Sequence, residues 1–331
     1  MPKILVTGGA GYIGSITTRH LLNRGFDVAV IDDLSRGHRE NVAPERLHVL
    51  RLQDTNVVAS LLGGVDAVIH FAAHSAVGES MREPELYFSN NVGGTVSLLE
   101  AMAQSGVRRL VFSSTAAVYG DPETLPIPED SRIAPVNPYG ESKAIVENIL
   151  QKLDLYRGLR TIALRYFNAC GAEPGAGLGE AHNPETHLIP LLFRAIATGE
   201  PIQIFGDDYA TSDGTCIRDY IHVSDLAAAH VAALEWLIDH PEENLVVNCG
   251  YGKGLSVLEV LDAVDRHTNL PIRRVVEGRR AGDSPELVAA NARLLETLAW
   301  RPAHDDIDTI VAHALAWERE LRERSRADAE A

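Results

Sequence analysis

The stretch Thr7-Gly8-Gly9-Ala10-Gly11-Tyr12-Ile13-Gly14 constrains the fold more than any other part of the chain. It follows a short apolar run, Lys3–Thr7, and opens an amphipathic one, Ile13–Asn23. The three spaced glycines have separate jobs. Gly8 permits a tight turn, Gly11 lets a pyrophosphate approach the backbone, and Gly14 lets helix and strand pack closely. The helix start behind them offers free amides and a dipole to an anion. A glycine triplet alone is weak evidence, but here it lies between strand and helix, and Asp32 ends the second apolar run. An acid there bonds ribose hydroxyls and repels a 2′-phosphate. Arg36 and Arg39 lie near enough to hold such a phosphate; Asp32 outranks them because it sits at the strand end itself.

The rest of the first half repeats this rhythm. Strands are predicted at Asp27–Ile31, Leu47–Leu50, Ala67–Phe71, Leu110–Ser113 and Thr161–Arg165. Helices are predicted at Val57–Leu62, Ser89–Ser105 and Tyr139–Tyr156. Buried β-branched runs alternating with helices predict an α/β fold, a doubly wound parallel Rossmann-like sheet with a second, smaller carboxy-terminal domain. Residues 168–187 are rich in Gly, Pro, Asn and Glu and read as a boundary or a loop over a site. A helix over 224–239 and a strand over Leu245–Asn248 are expected to return to the first sheet. The dinucleotide-binding domain is thus expected over 1–168, with 218–250 returning to it. Residues 169–217 and 251–331 are expected to form the second domain, with a ligand in the cleft between the two. The charged end, Glu318–Ala331, is expected to fray.

Composition narrows the partners. The 331 residues are 45% hydrophobic and carry a net charge of −16, which disfavours generic nucleic-acid binding and requires any site for an anion to be locally basic. Cys170, Cys216 and Cys249 lie far apart without metal or disulfide spacing, as expected in a reducing, cytoplasmic compartment. The first residues run straight into strand-like sequence with no secretory pattern, and no apolar run of about 18 residues exists, so no membrane partner is expected.

Chemistry is carried by Ser113-Ser114-Thr115 and by Pro138-Tyr139-Gly140-Glu141-Ser142-Lys143. Tyr139 and Lys143, four apart on a helix, share a face. A lysine cation beside an oxidised nicotinamide ring stabilises a tyrosinate, which takes a proton from an alcohol as hydride leaves its carbon. Thr115, or Ser114, is placed to bond the same oxygen. Tyr-x-x-x-Lys alone would favour an interface tyrosine beside a solvated lysine. The glycine loop and the Ser/Thr strand end give it a chemical context.

Together these motifs resemble the extended short-chain dehydrogenase/reductase superfamily. Further segments resemble the UDP-glucose (UDP-galactose) 4-epimerases within it: His70-Phe71-Ala72-Ala73, Ala76-Val77-Gly78-Glu79-Ser80, Asn90 to Thr95, Ala117-Val118-Tyr119-Gly120, Leu164 to Asn168, and Arg218 to Val223. The resemblance runs from Lys3 to about Trp300. It implies an isomerase that oxidises C4 of a UDP-sugar, lets the 4-keto sugar turn, and reduces it again. It implies NAD held by Gly8, Gly11, Tyr12, Ile13, Gly14, Asp32, Asp54, Phe71, Asn91, Tyr139, Lys143 and Tyr166. It implies chemistry by Ser114, Thr115, Tyr139 and Lys143, with the UDP-sugar held by Thr115, Tyr139, Asn168, Leu188, Arg218, Arg280 and Asp283. A homodimer joined through Ser89–Ser105 and Tyr139–Tyr156 is implied as well.

Some positions depart from the resembled pattern. Ser75 stands where many relatives carry Lys near the pyrophosphate, and Asp33 where Asn is common. His187 stands where many have Asn beside the sugar nucleotide. Leu287 replaces a Tyr found in some members next to the sugar, which is expected to admit UDP-N-acetylhexosamines as lesser substrates. Arg218 and Arg280 are suited to bidentate pyrophosphate contacts, against a plainer reading as surface ion pairs. His74, His182, His187, His222 and His230 show no metal spacing, and no metal is expected. The rivals are a nucleotide-sugar dehydratase, a UDP-glucuronate decarboxylase and an NAD-sensing protein without turnover. Ala116 and Ala117 after Thr115 provide no acid or base for eliminating water, and a mere sensor has no need of Tyr139 and Lys143.

Overall fold

A computed structural model describes residues 1–280 and 283–330. Seven strands form one wholly parallel sheet: β1 Lys3–Thr7, β2 Asp27–Asp32, β3 Leu47–Val49, β4 Ala67–His70, β5 Arg109–Thr115, β6 Arg160–Tyr166 and β7 Leu245–Cys249. Their order is β7-β6-β5-β4-β1-β2-β3. The chain therefore reverses direction across the sheet between β1 and β4, the place where doubly wound sheets bind ligands beyond their strand ends.

The helices are α1 Tyr12–Asn23, α2 Thr55–Leu61, α3 Gly94–Ser105, α4 Pro138–Arg157, α5 Leu188–Thr198, α6 Val223–Asp239, α7 Val257–Thr268 and α8 Ile307–Glu330, besides shorter turns. One face of the sheet buries Ile4, Val6, Val30 and Ile69 with Leu226 and Leu234 of α6. The other buries Leu5, Val68 and Phe112 with Leu98, Met102 and Val146 of α3 and α4. Alternate strand residues thus serve opposite cores, which is why these strands read as continuous apolar runs. Among the described residues no helix is long and apolar enough to cross a membrane.

A smaller body packs Ile189, Leu192 and Phe193 of α5 on Val260, Leu261 and Val264 of α7 and Ile310 and Val311 of α8. Strand Ile217–His222 belongs to a small mixed sheet with Asn168–Cys170, Gly254–Ser256 and Glu286–Leu287. The return to the large sheet therefore begins with α6 and β7, and not at residue 218.

Two further expectations change. The predicted single helix Ser89–Ser105 is split, with a π-helical turn over Phe88–Gly93 before α3. Thr95 Oγ1 donates back to the Asn91 carbonyl at 2.5 Å, and such turns gather at functional sites. The charged end stays helical through Glu330 instead of fraying, while Ala331 lies outside the described residues. Pairs Arg322–Glu318 and Arg324–Glu320 line the helix, and Arg322 and Arg324 also donate to the carbonyls of Phe193 and Gly177.

Asp219 joins the segments that frame the cleft. It is fully buried and accepts the amides of Tyr251 at 2.8 Å, Gly252 at 2.9 Å and Ala289 at 3.2 Å. Asp219→Ala strands three donors, each costing about 1–3 kcal/mol when left unpaired in the interior. A loss of roughly 3 kcal/mol or more is expected, read as a lowered midpoint at unchanged slope in urea unfolding. A midpoint within experimental scatter of the parent would contradict this role.

Candidate active site

The glycine loop is built as its spacing predicts. Gly8 has φ +70°, and a Cβ there would lie 2.5 Å from the Ala72 amide nitrogen. A Cβ on Gly14 would lie 2.2 Å from the Gly8 carbonyl oxygen, so α1 can sit on the loop only with glycine at that position. Gly11 meets only the Gly8 oxygen, at 3.3 Å, and opens on the cleft. Asp32 ends β2, where its carboxylate accepts the amides of Ala10 at 2.9 Å and Leu34 at 2.8 Å. Burial raises its pKa, and the two amides pull it back. This cradle fits a dinucleotide: backbone for phosphates at one end, an acid for ribose at the other. Arg36 is committed to Glu79 at 2.6 Å and to the Asn183 carbonyl at 3.1 Å, and Arg39 lies off the cleft wall.

The cleft has a volume of about 1290 Å³. That exceeds the roughly 300–1,000 Å³ of a pocket for one small ligand and leaves room for two large ones. Its walls include Gly8, Gly11, Tyr12, Ile13, Gly14, Asp32, Phe71 and Tyr166 from the predicted cofactor set. From the predicted substrate set they include Thr115, Tyr139, Asn168, His187, Leu188, Arg218, Arg280, Asp283 and Leu287.

Three predicted residues stand elsewhere. Asp54 is exposed at the cap of α2, where its carbonyl takes the amides of Val57 and Val58; Leu50 to Gln53 supply the wall instead. Asn91 is buried behind the wall. It clasps the His74 backbone through both amide atoms and donates to Ser142 Oγ at 3.0 Å, so it braces the loop after β4 against α4. Ser114 is fully buried and donates to Glu147 Oε1 at 2.5 Å. Strand β5 runs on to Thr115, and alternation along it turns Ser114 toward the Glu147–Arg165 ion pair, away from the cleft. The catalytic expectation therefore rests on Thr115, Tyr139 and Lys143.

Tyr139 and Lys143 come from the first turns of α4, which Asn137 caps by accepting the Gly140 amide at 2.8 Å. Lys143 is 3% exposed and donates to the Ser113 carbonyl at 2.8 Å, with its nitrogen 4.9 Å from the Phe112 ring centre. Burial pushes its pKa down to about 7, although Glu147 acts in the opposite sense. Burial also holds the Tyr139 phenol well above its ordinary value; Tyr166 adds to this, and the Thr115 hydroxyl opposes it. Burial opposes the charged form of both groups, which a cation beside the phenol counters.

Beneath the site, His70 links Thr7 Oγ1 at 2.6 Å to Thr95 Oγ1 at 2.8 Å. Since Thr95 gives its own proton to Asn91, its oxygen accepts from His70 Nε2–H, and Nδ1 accepts from Thr7. Burial holds this ring neutral, its pKa lowered to about 3.

At the other end of the cleft, Arg218 lies 3.7 Å from Asp283, and the Arg280 guanidinium stacks 4.2 Å above the Phe205 ring. These two cations meet the need for a basic site in an acidic chain. Leu287 pairs in register with Arg218 across neighbouring strands. Sequence reasoning missed Phe205, which no local signal marks, and it missed the grouping of His182 and His187 with Glu180 and Glu185. The repeated Glu-x-His at 180–182 and 185–187 was a usable signal for the latter.

Residues 4–250 match the NAD dependent epimerase/dehydratase family. A UDP-glucose 4-epimerase of Lacticaseibacillus casei is 46% identical over 318 residues, covering 95% of this chain and 96% of the relative. Among solved structures, UDP-glucose 4-epimerase from Brucella ovis in complex with NAD has a TM-score of 0.91 at 44% identity, covering 95% of this chain and 97% of its own. UDP-glucose-4-epimerase from Stenotrophomonas maltophila, with bound NAD and formylated UDP-arabinopyranose, has a TM-score of 0.93 at 37% identity, covering 98% and 100%. The glycine cradle, the Tyr139–Lys143 pair and a similarity that spans nearly the whole length lead to one conclusion: this chain belongs to the NAD dependent epimerase/dehydratase family.

Proposed function

We propose that the chain interconverts UDP-galactose and UDP-glucose with NAD as a retained cofactor. The observation that carries this reading is a single cleft with the dinucleotide cradle at one end, Arg218 and Arg280 at the other, and Thr115 and Tyr139 between them. When bound, NAD supplies the acceptor that takes the C4 hydrogen and gives it back. The chain's own residues do the remaining work. Tyr139 takes the C4 hydroxyl proton and later returns it, while Thr115 bonds the same oxygen. Lys143, held on the Ser113 carbonyl, sets the charge beside the phenol. Arg218 and Arg280 grip the nucleotide pyrophosphate, so the hexose can turn without leaving. Ala116 and Ala117 follow Thr115 on the wall and offer no acid or base for dehydration.

We assign cofactor binding to residues 1–168 with the returning segment α6–β7, and UDP-sugar binding to 169–222 and 251–331. We further propose a cytoplasmic homodimer. The three buried free cysteines fit a reducing compartment. Val96 of α3 and Leu155 and Tyr156 of α4 expose apolar surface on the two helices expected to pair. The test of function is simple. Purified protein with no added nucleotide should form UDP-glucose from UDP-galactose, and denaturing it should release NAD. No conversion, or release of mainly NADP, would overturn the reading.

The hexose pocket is also expected to admit an acetamido group, because Leu287 lines the cleft without the ring and hydroxyl of a tyrosine. Shape selection in such a pocket is worth about 1–3 kcal/mol, or some 10–200-fold. Wild-type protein should prefer UDP-galactose yet turn over UDP-N-acetylgalactosamine, and Leu287→Tyr should raise that preference within this range. An unchanged ratio of kcat/KM values would remove Leu287 from this role.

A further inference from the structure

We propose that Glu180, His182, Glu185 and His187 bind one divalent transition-metal ion, Zn²⁺ by their chemistry, at the lip of the cleft. Each offers one ligand atom, and these atoms all lie within 4.8 Å of one another. His182 Nδ1 is 2.9 Å from Glu180 Oε1, and His187 Nδ1 reaches the same oxygen. Two imidazoles and two carboxylates suit zinc, whose bonds to such ligands are about 2.0–2.2 Å. Around a tetrahedral ion such atoms stand roughly 3.4 Å apart, so the two imidazoles would each step back from the Glu180 oxygen they now share while the widest pairs close in.

The loop that carries these residues is already fixed. Trp317 of α8 donates to the Glu180 carbonyl at 2.7 Å, and Arg36 donates to that of Asn183 at 3.1 Å. The Tyr12 ring packs edge-on to His182, with centroids 6.2 Å apart. Glu185 accepts the amides of Thr186 and His187 at 2.7 and 2.8 Å, which turns its carboxylate back toward the others. The Glu180 side chain is 5% exposed, with Glu185 half-buried beside it and His187 open to solvent. A divalent ion with two neutral imidazoles balances both carboxylates.

Four protein ligands leave no open position, which makes the site structural rather than chemical. It would tie the loop to the start of α5, where His187 caps the helix and Leu188 enters the cleft wall. His187 is shared with the expected UDP-sugar set, so the ion would take it from the sugar nucleotide; zinc uptake without substrate reads the site separately from turnover.

The test uses untagged full-length protein, stripped with chelator and dialysed against Zn²⁺ alone. One zinc per chain is expected, with a rise in Tm of about 5 °C at metal a hundredfold over Kd. His182→Ala and Glu185→Gln should each weaken zinc binding by at least the roughly 10–100-fold that a lost outer-shell partner costs, while keeping their bound NAD as a check on folding. Wild-type protein that takes up no stoichiometric zinc, or variants that bind it as tightly as wild type, would overturn the proposal. The wild-type titration decides the matter even if a variant fails to fold.

Discussion

Tyr139→Phe should fold, keep its NAD and lose 10²–10⁴-fold or more in kcat, the range of a positioned general base. The phenol is buried at the floor of the cleft with Thr115 and Tyr166 around it, and its pKa is held well above the ordinary value by that burial. Burial also lowers the pKa of Lys143, one helical turn on, to about 7. Removing the hydroxyl deletes the proposed base and its hydrogen bonds to Thr115 and Tyr166, while the ring still fills its place against Tyr87 at 6.5 Å. A variant with near-normal turnover would show that another group moves the proton.

The glycine cradle predicts a contrast between two substitutions. Gly14→Ala forces a Cβ to within 2.2 Å of one backbone oxygen and 2.9 Å of the Gly9 Cα, and neither atom can swing aside. Helix α1 must lift from the loop, so both stability and cofactor retention should fall, the latter by about 100-fold or more, the order of 3 kcal/mol. Gly11→Val meets only the Gly8 oxygen at 3.3 Å and otherwise projects into the cleft. It should abolish NAD retention with little change in urea midpoint. Equal loss of stability in both variants would mean that the two glycines share one structural task.

The contrast also shows why the loop was legible. Its jobs are encoded in residues adjacent in sequence, and so is the shared face of Tyr139 and Lys143 on one helix. Ser114 was not legible in the same way. Its direction depends on β5 continuing to Thr115, and a strand two residues longer than its apolar run turns that side chain toward Glu147. Asn91 reads as a ligand because of its motif, but the π-helical turn brings it behind the wall against His74 and Ser142. Asp54 is harder to place from sequence, because a helix cap and a cleft wall can be one residue apart, and it caps α2 beside Gln53 of the wall. The smaller body was least legible, because Ile217–His222, Gly254–Ser256 and Glu286–Leu287 pair across long stretches of chain with no local period to announce them.

In the proposed reaction one cleft oxidises and re-reduces the same carbon without exchanging its cofactor. UDP-galactose deuterated at C4, incubated in ordinary water with no added nicotinamide cofactor, tests it most directly. UDP-glucose that still carries deuterium at C4 is expected, with the protein's NAD content unchanged over many turnovers. UDP-glucose with ordinary hydrogen at C4, or a reaction that stops after one equivalent with reduced cofactor released, would contradict it.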